Sequence, residues 1–227
     1  CVLGIVKLHN SSDIKAVLMH DYESFNPDLI CALAGVVGED NVLMVEPMKL
    51  HTTFKIGGPA DLLVKPQDPQ QLVRVLDTCT FAETPVTVVG NGSDLLVSDR
   101  GIRGVVVLLR ENMADVRIEG TRVIAQAGAL LRDVALAAAD AGLSGLEPLW
   151  GIPATVGGAC FMNAGAYGGQ TSDVLESVDV YVPSKRGQRG SVCTLDVDQL
   201  NMGYRKSRVN TDGLIVLSAT FKLTPDS

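Results

Sequence analysis

The stretch from Gly142 to Gly169 constrains the fold more than any other part of the chain. It holds eight glycines in twenty-eight residues and almost no charge, while the large apolar residues between the glycines need burial. Glycine lets the backbone approach a ligand closely and adopt positive φ. We therefore predict an irregular segment, neither a regular helix nor a regular strand. It either wraps around a large ligand or crosses the core as a loop-rich segment.

Charge and cysteine usage argue against several classes of protein. The net charge of -7 and the lack of any Lys/Arg cluster argue against a nucleic-acid-binding surface. No apolar run reaches membrane-spanning length. The five cysteines are scattered without a C-x-x-C spacing, and the three histidines form no i, i+4 pair. We expect a reduced, cytoplasmic chain without a metal site.

Hydrophobic periodicity predicts helices over Pro27–Gly38, Gln70–Cys79 and Leu130–Ala141, the second with Asp68 as its N-cap. Helices and strands alternate at first and strands dominate later, which favours an α+β chain. The predicted strands are Val42–Val45, Asp61–Lys65, Pro85–Val89, Leu95–Val97, Val105–Leu109, Asp115–Ile118, Arg122–Ala127, Val178–Val182, Val192–Leu195 and Leu214–Leu223.

The segment Gly90–Asp94 follows a predicted strand, and its successive backbone N–H groups can cradle phosphate oxygens. It is not a dinucleotide fingerprint of the Rossmann type, because the third glycine and the following long helix are missing. A tight turn explains the same residues. Paired with the glycine-rich stretch, it favours a dinucleotide gripped by two loops.

Thr155–Gly158 and Asn163–Gly165 are further candidates for backbone donors. The Asn163 amide can supply a donor and an acceptor to a ring edge, or it can cap a turn. Arg205 lies in a turn before a strand and can clamp a carboxylate bidentately, or it is an ordinary surface arginine. His51 is either a covalent flavin attachment point, a general base or a polar loop residue, and we favour the last. Cys160 has apolar neighbours and is interpreted as a small buried side chain.

Several motifs in fixed order identify a family resemblance. The sequence resembles the UDP-N-acetylenolpyruvoylglucosamine reductases, flavoenzymes of peptidoglycan synthesis, from about residue 29 to its end. The motifs that carry the resemblance are His51–Ala60, Val89–Val97, Gly145–Glu147, Gly151–Ala159, Met162–Gly168 and Gly203–Ser207.

The resemblance implies an α+β fold of the vanillyl-alcohol-oxidase type, with FAD held noncovalently between two subdomains. It implies subdomains over residues 29–110 and 111–227, after an extension of unknown role over residues 1–28. It also implies a third, substrate-binding domain with a protonating serine and an assisting glutamate, for which this sequence has no match. Ser191 is interpreted as a strand residue rather than that serine.

The resemblance also assigns roles to individual residues. Arg205 is implied to be the catalytic arginine that stabilises the enolate developing on the substrate carboxylate, and Tyr204 a substrate contact. The residues implied to bind FAD are Thr53, Ile56, Val89, Gly90, Asn91, Gly92, Ser93, Asp94, Leu95, Gly151, Ile152, Pro153, Thr155, Gly157, Gly158, Asn163, Ala164, Gly165 and Ile215.

Two residues depart from the motifs of the family. Asp94 stands where asparagine is common, which places a carboxylate near the phosphates unless its side chain caps the loop. Ala154 stands where glycine is common.

The expected function is therefore reduction of UDP-N-acetylglucosamine enolpyruvate to UDP-N-acetylmuramate, with hydride passed from NADPH to the flavin and from the flavin to the substrate. One alternative is a catalytically silent FAD-binding module or truncated fragment, since the acid is missing. Another is a sugar or alcohol oxidase with His51 bonded to the flavin. The expected partners are a UDP-sugar and NADPH, with no nucleic acid and no membrane.

Overall fold

The computed structural model describes residues 26–184 and 188–226. Residues 1–25 of the predicted N-terminal extension therefore lie outside the described residues. The chain divides into two compact units: unit 1 contains the described residues up to Leu108 together with Gln188, and unit 2 contains the other described residues from Leu109 onward. None of the described helices is long and apolar enough to cross a bilayer.

Unit 1 contains two helices and a four-stranded sheet. Helix α1 (Pro27–Val37) begins at Asn26, whose side chain accepts from the N–H groups of Asp28 and Leu29. Helix α2 (Pro69–Phe81) begins at Asp68, which confirms the predicted N-cap. The helices pack on each other through apolar residues at helical spacing.

The sheet of unit 1 is mixed. Its strands are β1 (Val42–Pro47), β2 (Pro59–Val64), β3 (Val86–Val89) and β4 (Ile102–Leu108), in the order β1-β2-β4-β3. The β1/β2 pair is antiparallel, whereas β4 is parallel to both of its neighbours. A core cluster that includes Met48, Leu63, Val106 and Val97 lies on this sheet.

The predicted strand Leu95–Val97 is wrong, because these residues form an irregular loop. Val97 is buried in the core cluster and Leu95 packs against that cluster, while Leu96 between them is 72% exposed. Burial thus alternates along these three residues as it does in a strand. Here the alternation anchors a loop, since no described strand is hydrogen-bonded to these residues.

Unit 2 is built on a five-stranded antiparallel sheet. Its strands are β5 (Val116–Glu119), β6 (Arg122–Gln126), β10 (Leu175–Val182), β11 (Ser191–Asp196) and β12 (Ile215–Lys222), in the order β11-β10-β12-β6-β5. Strands β5 and β6, both predicted from the sequence, pair as an antiparallel hairpin. Ser191 is the first residue of β11, as predicted.

Helices and short strands complete unit 2. The helices are α3 (Leu131–Asp140), α4 (Val156–Met162) and α5 (Arg208–Thr211), and α4 packs against β12. Two short antiparallel pairs join β7 (Leu143–Ser144) with β13 (Thr224–Pro225), and β8 (Gly165–Ala166) with β9 (Gly169–Gln170).

The prediction that Gly142–Gly169 contains no regular structure is wrong, since α4 lies inside it. Thr155 caps this helix through its side chain, and Val156, Ala159 and Cys160 are buried at i, i+3 and i+4. The two glycines of its first turn lower helix propensity but leave that apolar face intact. Tertiary burial therefore overrides the local preference of Gly157 and Gly158.

Candidate functional site

In unit 1, the loop of residues 51–58 packs directly against the loop of residues 90–101. The N–H of Thr53 donates to the carbonyl of Gly92 at 3.1 Å, and the N–H of Gly58 donates to that of Ser98 at 2.8 Å. A Cβ on Gly92 would lie 2.1 Å from the carbonyl oxygen of His51, and one on Gly58 would lie 2.0 Å from that of Asp99. Both glycines are needed because the two backbones touch.

The Gly90–Asp94 segment offers a set of backbone donors. Gly92 has a φ of +61°, and no described residue accepts a hydrogen bond from the N–H groups of Gly92, Ser93 and Asp94. Unengaged N–H groups that follow one another in a turn suit phosphate oxygens. The donor set therefore fits the pyrophosphate of a dinucleotide.

Predicted FAD-binding residues on either side of these donors have different environments. Val89 is buried at the end of β3, and Thr53 is tied to Gly92. Ile56 is exposed, as are Phe54 and Leu96, neither of which was predicted as a site residue. Exposed large apolar residues on one loop pair suit an apolar ligand surface. Phe54 and Leu96 are hard to recognise as ligand contacts from the sequence, because each is flanked by residues that have structural roles.

His51 is engaged within the protein. Its Nε2 lies 2.8 Å from Oε1 of Glu46, and its side chain is only 8% exposed. The ring therefore helps to fix the loop that packs on Gly92. This supports the interpretation of His51 as a structural residue over covalent attachment to a flavin.

In unit 2, the first N–H groups of α4 already have acceptors. Those of Val156 and Gly157 donate to the carbonyls of Ala129 and Ala127, both at 2.8 Å, and that of Gly158 lies 3.5 Å from Oγ1 of Thr155. The expectation that these backbone donors face a ligand is therefore wrong. Gly158 remains exposed, and a Cβ there would meet only Oγ1 of Thr155, at 3.6 Å, so this glycine can contact a ligand through its surface.

Asn163 ends α4 in the left-handed conformation, with φ 44° and ψ 57°. Its Nδ2 donates to Oε1 of Gln170 and to the carbonyl of Gly203, both at 3.1 Å, and its Oδ1 accepts from the N–H of Ser172 at 3.0 Å. Both amide hydrogens are thus engaged inside the protein. The amide therefore takes the second of its two predicted roles, as a cap, and neither of its hydrogens is left to donate to a ring edge.

Two tight hairpins lie beside this asparagine. The β8–β9 hairpin turns at Tyr167, which has a φ of 52° and is 92% exposed. The second hairpin is closed by two hydrogen bonds between Gly203 and Lys206, of 2.9 and 3.2 Å, with Tyr204 and Arg205 at its tip.

A cavity of about 380 Å³ lies between the two hairpins. It brings together four of the predicted site residues, Asn163, Gly165, Tyr204 and Arg205. The other members of its lining were not predicted from the sequence, because their only signal there is the short hairpin that carries most of them. The lining residues are Asn163, Gly165, Ala166, Gly168, Gly169, Gln170, Asp173, Tyr204 and Arg205.

Arg205 is the cation of this cavity. It is exposed, has a φ of 53°, and its guanidinium carbon lies 5.7 Å from the centre of the Tyr204 ring. Among the described residues it forms no ion pair and no hydrogen bond through its side chain. The carboxylate of Asp173, in the same lining, accepts from the N–H of Gln170 at 2.9 Å. The guanidinium is therefore available to an anionic ligand.

The remaining predicted site residues of unit 2 lie outside the lining of this cavity. Ala164 is buried, and its carbonyl accepts from the N–H and hydroxyl of Thr171. Ile215 is the first residue of β12, opposite Tyr181. Gly151, Ile152 and Pro153 form the turn that leads into α4.

Two other residues of the motifs have structural roles. Glu147 accepts from the N–H of Gly145 at 2.8 Å. Hydrogen bonds from its own N–H, from the Ser144 hydroxyl and from Gly145 hold the pKa of Glu147 below its ordinary value. Burial raises the pKa of the Cys160 thiol to about 12, which rules out its use as a nucleophile at neutral pH.

Comparison with known proteins places these features in a family. The model of a family described as FAD binding domain matches residues 60–187, which is more than half of the chain. The chain belongs to the FAD binding domain family. The match includes the Gly90–Asp94 segment, α4 and the β8–β9 hairpin.

Two reductases are similar over most of the chain. UDP-N-acetylenolpyruvoylglucosamine reductase from Clostridium botulinum is 45% identical over 205 residues, which are 90% of this chain and 64% of that protein. The crystal structure of UDP-N-acetylenolpyruvylglucosamine reductase from Thermus caldophilus has a TM-score of 0.67 at 38% identity, covering 80% of this chain and 62% of that one. The chain thus spans less than two thirds of these relatives.

A more distant structure shows the fold alone. Alkyldihydroxyacetonephosphate synthase has a TM-score of 0.65 at 17% identity, covering 89% of this chain and 41% of that one. The predicted α+β fold of the vanillyl-alcohol-oxidase type is confirmed by these neighbours and by the family match.

Proposed function

We propose that this chain is the FAD-binding part of an NADPH-dependent reductase that converts UDP-N-acetylglucosamine enolpyruvate to UDP-N-acetylmuramate in peptidoglycan synthesis. The observation that carries the proposal is the unengaged guanidinium of Arg205 in the 380 Å³ cavity. Similarity to the two reductases supports it.

We assign the FAD pyrophosphate to the backbone N–H groups of Gly92, Ser93 and Asp94. When bound, FAD supplies hydride chemistry that amino-acid side chains lack. The loop contributes rigidity, since its backbone is held by Thr53 and by the packing of Gly92 on His51.

We assign to Arg205 the role of binding the carboxylate of the enolpyruvyl group. Reduction of the enolpyruvyl double bond adds a hydride and then a proton. Between the two additions, extra negative charge is delocalised onto that carboxylate as an enolate, so a fixed cation there stabilises the transition state. The ring of Tyr204 lies 5.7 Å from the guanidinium carbon, within the range of a cation–π contact. We assign the protonating acid to no residue of this chain.

A test of this function uses the purified chain loaded with FAD. We expect a flavin spectrum, and tighter binding of UDP-N-acetylglucosamine enolpyruvate than of UDP-N-acetylglucosamine, which lacks the carboxylate. Arg205→Gln should lower affinity for the enolpyruvyl sugar about 10- to 100-fold and leave FAD affinity unchanged. Arg132→Gln, which removes an exposed arginine on α3 that is paired with Asp133, is the matched control. A chain with no affinity for FAD would contradict the proposal.

The second candidate is a catalytically silent FAD-binding module. It is favoured by the described lining of the cavity, which contains no serine and whose only carboxylic acid, Asp173, accepts a backbone hydrogen bond. NADPH oxidation assayed with the enolpyruvyl sugar separates the two candidates, because turnover by this chain rejects the silent module.

The oxidase alternative is less well supported, because His51 is buried against Glu46. Acid precipitation tests it: all flavin colour should remain in the supernatant. We also propose that the protein works in the cytoplasm on a UDP-sugar with NADPH. The described cysteines Cys31, Cys79, Cys160 and Cys193 form no disulfide, which agrees with a reducing compartment.

A further inference from the structure

Asn163 connects three separate parts of unit 2 through one side chain. It is 3% exposed, and it links the end of α4 to Gln170, to Ser172 and to the carbonyl of Gly203. Gly203 lies 40 residues further along the chain and is the first residue of the hairpin that carries Arg205.

A second anchor fixes the other end of that hairpin to the same helix. The Ser207 hydroxyl donates to the carbonyl of Phe161 at 2.7 Å, and the residue is fully buried. Its oxygen also lies 3.4 Å from the N–H of Asn210, where it caps α5. Gly203 and Ser207 are therefore both held by residues at the C-terminal end of α4.

Arg205 depends on these anchors for its position. It sits at the tip of a two-residue turn, is exposed, and has no described ion pair or side-chain hydrogen bond that could orient it. Apart from its contact with the Tyr204 ring, the turn alone determines where the guanidinium lies. The position of this turn depends on the hydrogen bonds that Asn163 and the Phe161 carbonyl make with Gly203 and Ser207.

We propose that Asn163 is a positioning residue for Arg205 and does not itself bind FAD. Through its hydrogen bond to the Gly203 carbonyl, it holds the Tyr204–Arg205 turn where the guanidinium meets the substrate carboxylate. This inference rests on the proposed function, in which Arg205 binds that carboxylate.

The variant that tests this is Asn163→Gly, because glycine keeps the left-handed backbone without strain and removes only the amide. Asn201→Gly is the matched control, since Asn201 also ends a short helix in the left-handed conformation, with φ 46°, and its side chain is exposed without a described partner. Asn163→Asp is a second variant, which keeps an acceptor for Ser172 and cannot donate to Gly203.

The FAD-loaded full chain is the sample for three measurements. Amide hydrogen exchange at Gly203 and Lys206 should become about tenfold faster in both Asn163 variants. The preference for UDP-N-acetylglucosamine enolpyruvate over UDP-N-acetylglucosamine should fall about tenfold, while FAD affinity stays within about twofold of wild type. The Asn201 control should match wild type in all three.

Two results would overturn the inference. One is unchanged exchange at Gly203 and Lys206 in both variants. The other is a loss of FAD affinity with an unchanged preference for the carboxylate, which would make Asn163 a cofactor ligand. If wild type itself shows no preference for the carboxylate-bearing sugar, the proposed function fails, and the exchange rates still decide whether Asn163 holds the turn.

Discussion

Asp94 and Ala154, the two residues that depart from the family motifs, have different consequences. Ala154 is not among the described residues with positive φ, and its N–H and carbonyl are hydrogen-bonded to Ile152 and Leu131. Alanine therefore fits there without strain. The side chain of Asp94 is exposed and makes no described hydrogen bond, so it does not cap the loop.

Asp94→Asn should therefore tighten FAD binding. The substitution removes a carboxylate next to the N–H groups that we assign to the pyrophosphate. Loss of the screened repulsion between this carboxylate and the phosphates should raise FAD affinity roughly threefold to fivefold. Titration of FAD into the apoprotein measures it, and the gain should shrink as salt is added. Asp140→Asn, at the exposed end of α3, makes the same change in net charge and should leave FAD affinity unaltered. An equal gain in both variants would contradict a local effect.

The cysteines should differ sharply in reactivity. Burial raises the pKa of the Cys79 and Cys160 thiols to about 12, whereas Cys31 and Cys193 are exposed. Because the thiolate is the reactive form, a maleimide at neutral pH should label Cys31 and Cys193 in the folded protein and spare the buried pair. Peptide mass mapping reads the result, and labelling in denaturant is the control. Rapid labelling of Cys160 in the folded protein would contradict the packing of α4.

At the scale of elements, backbone contact between loops explains what local pattern does not. Two consecutive glycines such as those at 57–58 are typical of a turn, yet each of them lies against the loop of residues 90–101. A Cβ on Gly57 would lie 2.8 Å from Cβ of Val97, which is the residue that anchors that loop in the core. The two motifs are thus one structural feature.

Gly92→Ala should disrupt this loop pair. The new Cβ would meet the His51 carbonyl at 2.1 Å, in a residue whose φ is +61°. We expect a loss of at least about 2 kcal/mol in the free energy of unfolding together with weaker FAD binding. Gly120→Ala is the control, since Gly120 has a φ of +63° with open space around it and should cost only about 1 kcal/mol. Urea unfolding measures both, and equal losses would show that the close approach is unimportant.

At the scale of the whole molecule, charged pairs on the sheet of unit 2 couple stability to pH. Arg122 on β6 makes two hydrogen bonds to the carboxylate of Glu176 on β10, at 2.5 and 2.9 Å. The Arg122 guanidinium holds the pKa of Glu176 below its ordinary value of 4.5. The pair lies at the surface, so salt screens its contribution.

Unfolding should therefore become easier in acid. A carboxyl whose folded pKa is lowered stabilises the protein above its unfolded pKa, and that stabilisation is lost as the pH falls from about 4.5 through the lowered value. Glu176→Gln should flatten the stability curve in this window. Asp198→Asn, at an exposed carboxyl without a described partner, should not. Thermal unfolding across this pH range distinguishes the two variants.

Much of the fold follows from sequence alone. Helices α1 and α2, with their apolar faces and the Asp68 cap of α2, and the β5–β6 hairpin depend on residues close together in the chain, so local chemistry predicts them. The resemblance to the UDP-N-acetylenolpyruvoylglucosamine reductases was also evident from motifs, because Gly90–Asp94 and Gly203–Ser207 lie within stretches that stand in the same order as in those reductases.

Only the tertiary structure decided how the candidate site is assembled. Helix α4 forms despite its glycines because β12 buries its apolar face, and its first N–H groups bind residues 127–129 instead of a ligand. Asn163 was predicted to contact a ligand because an amide side chain can either bind a ligand ring edge or cap a turn. Its partner Gly203 is 40 residues away, so only folding reveals that the amide holds the arginine turn.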